Sequence, residues 1–191
     1  MKLPILEQKN INDFPKFIDF WAQMYKFEDD VPYDECINKK TFTKDDIQKL
    51  YEWKNGMILS EKKQKSLNEK IISKLSVINE LKQNFDKEKF RKEFKNVSLV
   101  WKIFLLHIIE PQKFPIYDQH IHRAYQFICE KDWQGISPQM KDKDKEDFYF
   151  DVYQPFIETQ VKTYGLKIRE IDRGIFIFGG DLKQKKLSFK L

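Results

Sequence analysis

Three features of the sequence predict an all-α fold. Only six glycines and seven prolines occur in 191 residues, too few for the many tight turns of a sandwich or barrel. Apolar residues recur at spacings of three and four, the period of a helix, along most of the chain. Hydrophobic residues make up 41% and aromatics 15%, including 17 phenylalanines, which is too much apolar surface for a disordered chain and enough for a core. A chain of this length forms one globular unit, residues 1–191, or a unit of two lobes, 41–114 and 1–40 with 115–191.

The first helix runs from Asn12 or Asp13 to about Lys26, with Phe14, Phe17, Ile18, Trp21 and Tyr25 on one stripe and Pro15 in its first turn. The acidic, proline-containing stretch from Glu28 to Lys40 reads as an exposed connector. Thr43 with Asp46 three residues later forms a capping box, opening a helix through Ile47, Leu50, Tyr51 and Trp53 that Asn55-Gly56 ends. Ser60 caps the next helix, which is long and one-sided: Leu67, Ile71, Leu75, Ile78, Leu81 and Phe85 share a face. Asp86 opens a short helix holding Phe90 and Phe94, and Lys95-Asn96-Val97 makes a tight connection.

From Ser98 to Ile109 the chain is apolar nearly all round, as expected of a central helix, and His107 within it reads as a buried, hydrogen-bonded histidine. Pro111 and Pro115 force a break, since each lacks a backbone donor and biases the preceding residue towards an extended conformation. Asp118 then caps a helix through Ile121, Ala124, Tyr125 and Ile128. A polar segment, Trp133 to Lys145, leads to a helix of Phe148, Val152, Phe156, Ile157 and Val161, closed by Gly165. The last amphipathic stretch, Ile168 to Phe178, is expected to stop at Gly179-Gly180 and leave a lysine-rich tail from Asp181.

A formal net charge of +5 permits an anionic partner without demanding one. Cys36 and Cys129 are isolated, with no CxxC and no histidine at ligand spacing, so neither a metal site nor another cofactor is expected. Met1 to Lys9 carry charge and a proline where a secretory leader needs an apolar run, and no stretch approaches membrane-spanning length. A cytoplasmic protein that does not engage a membrane is the expectation.

The segment Phe114-Pro-Ile-Tyr-Asp118-Gln-His-Ile-His-Arg123 joins a proline link to an aspartate that opens a helix, 20 residues after Ser98. With the turn Asn96-Val97-Ser98 and the apolar helix from Leu99 to Ile109, this order resembles the helix-hairpin-helix superfamily of DNA glycosylases, which includes endonuclease III. Ile171 to Gly180 is similar to that family's final helix. The resemblance implies a two-lobe, all-helical architecture with a trimmed helical barrel over 41–114. It also implies a DNA partner and hydrolysis of the N-glycosidic bond of a damaged or modified base.

Asp118 would be the catalytic carboxylate in such an enzyme, because bond cleavage builds positive charge on the sugar. Lys95, Asn96, Ser98, His120 and Arg123 would contact DNA, and Tyr117 and Trp53, with Trp101, would line a pocket for the extruded base. Val100 stands where bifunctional members of the family carry a Schiff-base lysine, which implies a monofunctional enzyme. Two other readings of the same residues stay open. The chain could be a DNA-binding protein of this fold without catalysis, or an unrelated helical protein with a protein partner, whose Asp118 is only an N-cap.

Overall fold

The structure, a computed structural model, describes residues 13–26, 30–130 and 141–188. Among them all regular structure is helical and no strand occurs, so the all-α class stands. The helices are α1 Phe14–Ala22, α2 Val31–Ile37, α3 Lys44–Asn55, α4 Glu61–Lys70, α5 Leu75–Gln83, α6 Lys87–Glu93, α7 Leu99–Ile109, α8 Gln119–Tyr125, α9 Asp142–Asp147, α10 Gln154–Tyr164 and α11 Ile168–Ser188. A 3-10 turn, Ile72–Lys74, joins α4 to α5. Two π-helical stretches, Gln126–Glu130 and Phe148–Tyr153, extend α8 and join α9 to α10.

Side chains set several of the helix starts, because the first amides of a helix have no partner within it. Asp13, Thr43, Asp86 and Asp118 each accept a first-turn amide, and Asp46 completes the capping box with Thr43. Gly56 and Gly165 end α3 and α10 in the left-handed region, at φ 71° and 69°, where a Cβ would be strained. Ser60 has the backbone of a cap without the side-chain bond.

Three elements differ from the sequence expectation. The Glu28–Lys40 stretch is not simply an exposed connector: it contains α2, with Pro32 in its first turn and Tyr33, Cys36 and Ile37 turned inward at helical spacing. The long helix after Ser60 breaks at Ile71, whose φ of −124° leaves the helical region. The break lets α5 wrap the core, where Asn79 bonds both backbone groups of Phe42 (2.7 and 2.9 Å) and Lys74 reaches Glu93. The final helix does not stop at Gly179-Gly180 but runs to Ser188. A Cβ on Gly179 would lie 2.0 Å from the carbonyl oxygen of His120, so this glycine serves the close crossing of α8 over α11. Of the expected polar segment from Trp133 to Lys145, residues 133–140 lie outside the described residues, and 142–145 belong to α9.

Buried side chains gather in two clusters. One holds Tyr33 and Ile37 of α2, Leu50 and Tyr51 of α3, Ile78 of α5, Phe94, and Phe104 and Ile108 of α7. The other holds Ile18 of α1, Ile121 of α8, Tyr149, Tyr153, Ile157 of α10, and Ile171 and Ile175 of α11. Helix α7 serves both, because Leu99 and Ile103 face the second cluster, and this explains its all-round apolar sequence. His107 is satisfied as expected, with Nε2 bonded to the Tyr33 hydroxyl and Nδ1 to the Phe114 carbonyl, both at 2.7 Å. Burial pushes its pKa down to about 3, so the ring is neutral. Among the described residues no helix is long and apolar enough to cross a membrane.

Candidate functional site around Asp118

The backbone at Asp118 is extended, at φ −159° and ψ −174°, which turns its side chain back over the start of α8. Oδ1 accepts the amides of His120 (2.8 Å) and Ile121 (3.1 Å). Oδ2 accepts from Lys54 Nζ at 3.0 Å. Lys54 sits in the last turn of α3, and Tyr51, one turn earlier, donates to the Trp101 carbonyl at 3.0 Å. That bond docks α3 against the first turn of α7 and brings Lys54 to Asp118.

The pair is nearly enclosed, with side chains 10% and 17% exposed for Lys54 and Asp118. Burial pushes the Asp118 carboxyl up, but the Lys54 charge and the Ile121 amide outweigh it and hold it below the ordinary aspartate value. A carboxylate offers about four acceptor sites. Asp118 uses three of them, two on Oδ1 and one on Oδ2, so one Oδ2 site remains open on a side chain that solvent still reaches.

The link from Pro115 to Asp118 is also gripped by side chains of α11 and the second π-helical stretch. Asp172 of α11, fully buried, accepts the Ile116 amide through Oδ2 at 3.1 Å, and the Tyr149 hydroxyl donates to the Pro115 carbonyl at 2.9 Å. Arg123 donates through Nη1 to the Gly179 carbonyl at 2.8 Å, tying α8 to α11. His120 is half-buried against the Phe176 ring at 5.2 Å, and burial lowers its pKa. His122 is buried, bonded through Nδ1 to the Tyr117 hydroxyl (2.8 Å), and pushed by burial down to about 4.

The three aromatic pocket candidates face internal partners. Tyr117 is 1% exposed and packs among Phe148, Tyr149 and Tyr153. Trp53 donates Nε1 to Asp30 at 3.1 Å, meets Tyr33 at 4.5 Å with the rings tilted by 38°, and has the Arg169 guanidinium 5.0 Å from its ring. Trp101 meets Tyr51 edge-on at 5.0 Å. Asp30 itself is fully buried and saturated: Tyr25 (2.6 Å), Trp53, Arg169 and Arg173 all donate to it.

Lys95, Asn96 and Ser98 stand exposed on the tight turn between α6 and α7, which the Val97 amide closes on the Phe94 carbonyl at 3.1 Å. Beside the turn lies an open groove of about 460 Å³. Arg91, Lys95, Lys102 and Lys143 line it together with Glu146, Asp147 and Asp151, and Lys102 is paired with Glu146 at 3.0 Å. The fold thus brings Asp118, His120 and Arg123 together at the start of α8, while Lys95, Asn96 and Ser98 share the turn before α7. Among the described residues no cluster of His, Cys, Asp or Glu could hold a metal.

Sequence reasoning missed Lys54, Asp172 and Asp30. Asp172 left a readable signal, a lone acid inside the apolar stripe of Ile168, Ile171, Ile175 and Phe178. Lys54 left none, since a lysine in the last turn of a helix is ordinary.

No family model, curated protein or solved structure matches the chain.

Proposed function

We propose that the chain is a monofunctional DNA glycosylase resembling the helix-hairpin-helix type, which hydrolyses the N-glycosidic bond of a damaged or modified base. The open acceptor site on Oδ2 of an ionised, immobilised Asp118 carries this reading. As the bond between the base and C1′ of the sugar lengthens, positive charge develops on the deoxyribose. A fixed carboxylate stabilises that charge without reorganising, and its remaining lone pair can orient the attacking water and take its proton. Lys95, Asn96 and Ser98 on the exposed turn, with Arg91 and Lys143 along the groove, supply contacts to the phosphate backbone. Val100, in the lysine position of bifunctional relatives, fits hydrolysis without lyase cleavage.

The test is a panel of duplexes carrying deaminated, alkylated and oxidised bases, incubated with wild type and with Asp118→Asn. Wild type is expected to leave abasic sites on at least one lesion, and Asp118→Asn to abolish release while binding the same duplex with nearly the same affinity. Undiminished release by the variant overturns the reading.

A second reading, DNA binding without catalysis, is favoured by the Lys54 ammonium that already neutralises Asp118. Binding that weakens steeply with salt, with no abasic product on any lesion, distinguishes it.

A further inference from the structure

We infer that Asp172 is the positioning residue of the Asp118 site: from α11 it holds the Ile116 amide, and with it the Pro115–Asp118 link, in the register that sets Asp118 against Lys54. The inference rests on Asp118 being the functional carboxylate, but its test does not depend on base release.

Asp172 has no solvent exposure and lies within the second cluster, on the same helix face as Ile168 and Ile175. Its Oδ2 accepts the Ile116 amide, whereas Oδ1 has no hydrogen-bond partner among the described residues. A half-satisfied carboxyl in an apolar core is costly. Asparagine could accept the same amide bond, which makes Asp172→Asn the conservative replacement and Asp172→Ala the one that removes the clasp.

The groups that act electrostatically with Asp172 come from every side. Arg169 is one turn away on α11, Lys54 comes from α3, and Asp118 from the link itself. The phenols of Tyr149 and Tyr153 come from the π-helical stretch, and Tyr33 from α2. Burial raises the Asp172 carboxyl to about 7 against the lowering by Arg169 and the Ile116 amide. Near neutrality it therefore exchanges between a neutral form and a charged form that opposes the charge on Asp118.

Carbon-detected NMR titration of the Asp118 carboxyl, with hydrogen exchange at the Ile116 amide, reads both parts of the inference in wild type, Asp172→Asn and Asp172→Ala. Asp172→Ala is expected to speed exchange at Ile116 by about tenfold or more, the loss of one hydrogen bond to a charged acceptor. Asp172→Ala is also expected to raise the pH at which the Asp118 carboxyl titrates, as the slackened link draws it away from Lys54, and Asp172→Asn to restore both the protection and the low titration. A merely structural Asp172 would leave the Asp118 titration unmoved in Asp172→Ala, or in the near-isosteric Asp172→Leu should the Ala variant not fold, and that result overturns the inference. Should the titrations behave as expected while wild type releases no base, the positioning role stands and the glycosylase reading falls.

Discussion

Asp30 and Asp118 are two enclosed aspartates facing cations, and they differ in how completely they are used. Asp30 takes donors from Tyr25, Trp53, Arg169 and Arg173, and the guanidinium of Arg169 lies against the rings of Tyr25, Tyr33 and Trp53 at 4.8 to 5.4 Å. Burial pushes its carboxyl up, yet the Tyr25 bond and the Arg169 charge prevail and hold it low. Nothing is left with which Asp30 could meet a ligand. Asp118 is held by two amides and one lysine and keeps one acceptor site unused on a side chain 17% exposed. A saturated carboxylate locks helices together, while an incompletely used one can still act on something outside the protein.

The largest break in this comparison is expected from Asp30→Ala. It leaves the Arg169 charge, on a side chain only 19% exposed, without its counter-ion, a loss of about 3–5 kcal/mol for a broken buried pair, read as a lowered urea midpoint. Gly179→Ala comes next. Its Cβ cannot fit 2.0 Å from the His120 carbonyl oxygen, so α8 and α11 must part at a cost of about 1–3 kcal/mol. Gly180→Ala is the internal control: its Cβ meets nothing closer than 3.7 Å, and a helical alanine is expected to raise stability by about 0.5–1 kcal/mol. Equal melting temperatures for the two variants would remove the close crossing as the reason for Gly179.

A pH-dependent effect separates Asp172 from both other aspartates. Its folded pKa, about 7, lies above the unfolded value, so the stability it contributes is complete below the unfolded pKa and is lost as pH rises through 7. Between about pH 5 and about pH 8 wild type should lose on the order of 2 kcal/mol from this group, and Asp172→Asn should flatten that slope. Asp118→Asn is expected to cost about 1–3 kcal/mol in the same unfolding measurement: asparagine caps a helix as well as aspartate does and its amide oxygen can still accept from Lys54, but the enclosed Lys54 charge loses its counter-ion. A loss as large as that of Asp30→Ala would make Asp118 a structural residue like Asp30.

Much of the helix layout was legible from residue order. Thr43 with Asp46, Asp86 and Asp118 bond amides two or three positions away, and Gly56 and Gly165 act on their own backbone. Helix α2 escaped because acids dominate its stretch and hide the inward face of Tyr33, Cys36 and Ile37. The break at Ile71 interrupts a periodicity that continues across it, since Leu67, Ile71, Ile78 and Leu81 are all buried. At Gly179-Gly180 a dipeptide that commonly ends helices instead allows two helices to cross.

The sequence by itself determined the helical class, the main caps, the central place of α7 and the position of Asp118 at a helix start, because each follows from neighbours a few residues apart. Only the tertiary structure decided what Asp118 meets. Lys54 lies 64 residues before it, and Asp172 reaches Ile116 across 56 residues. Such pairings depend on how α3 and α11 pack against α7 and α8, and helix packing is set by the whole buried surface rather than by any local pattern.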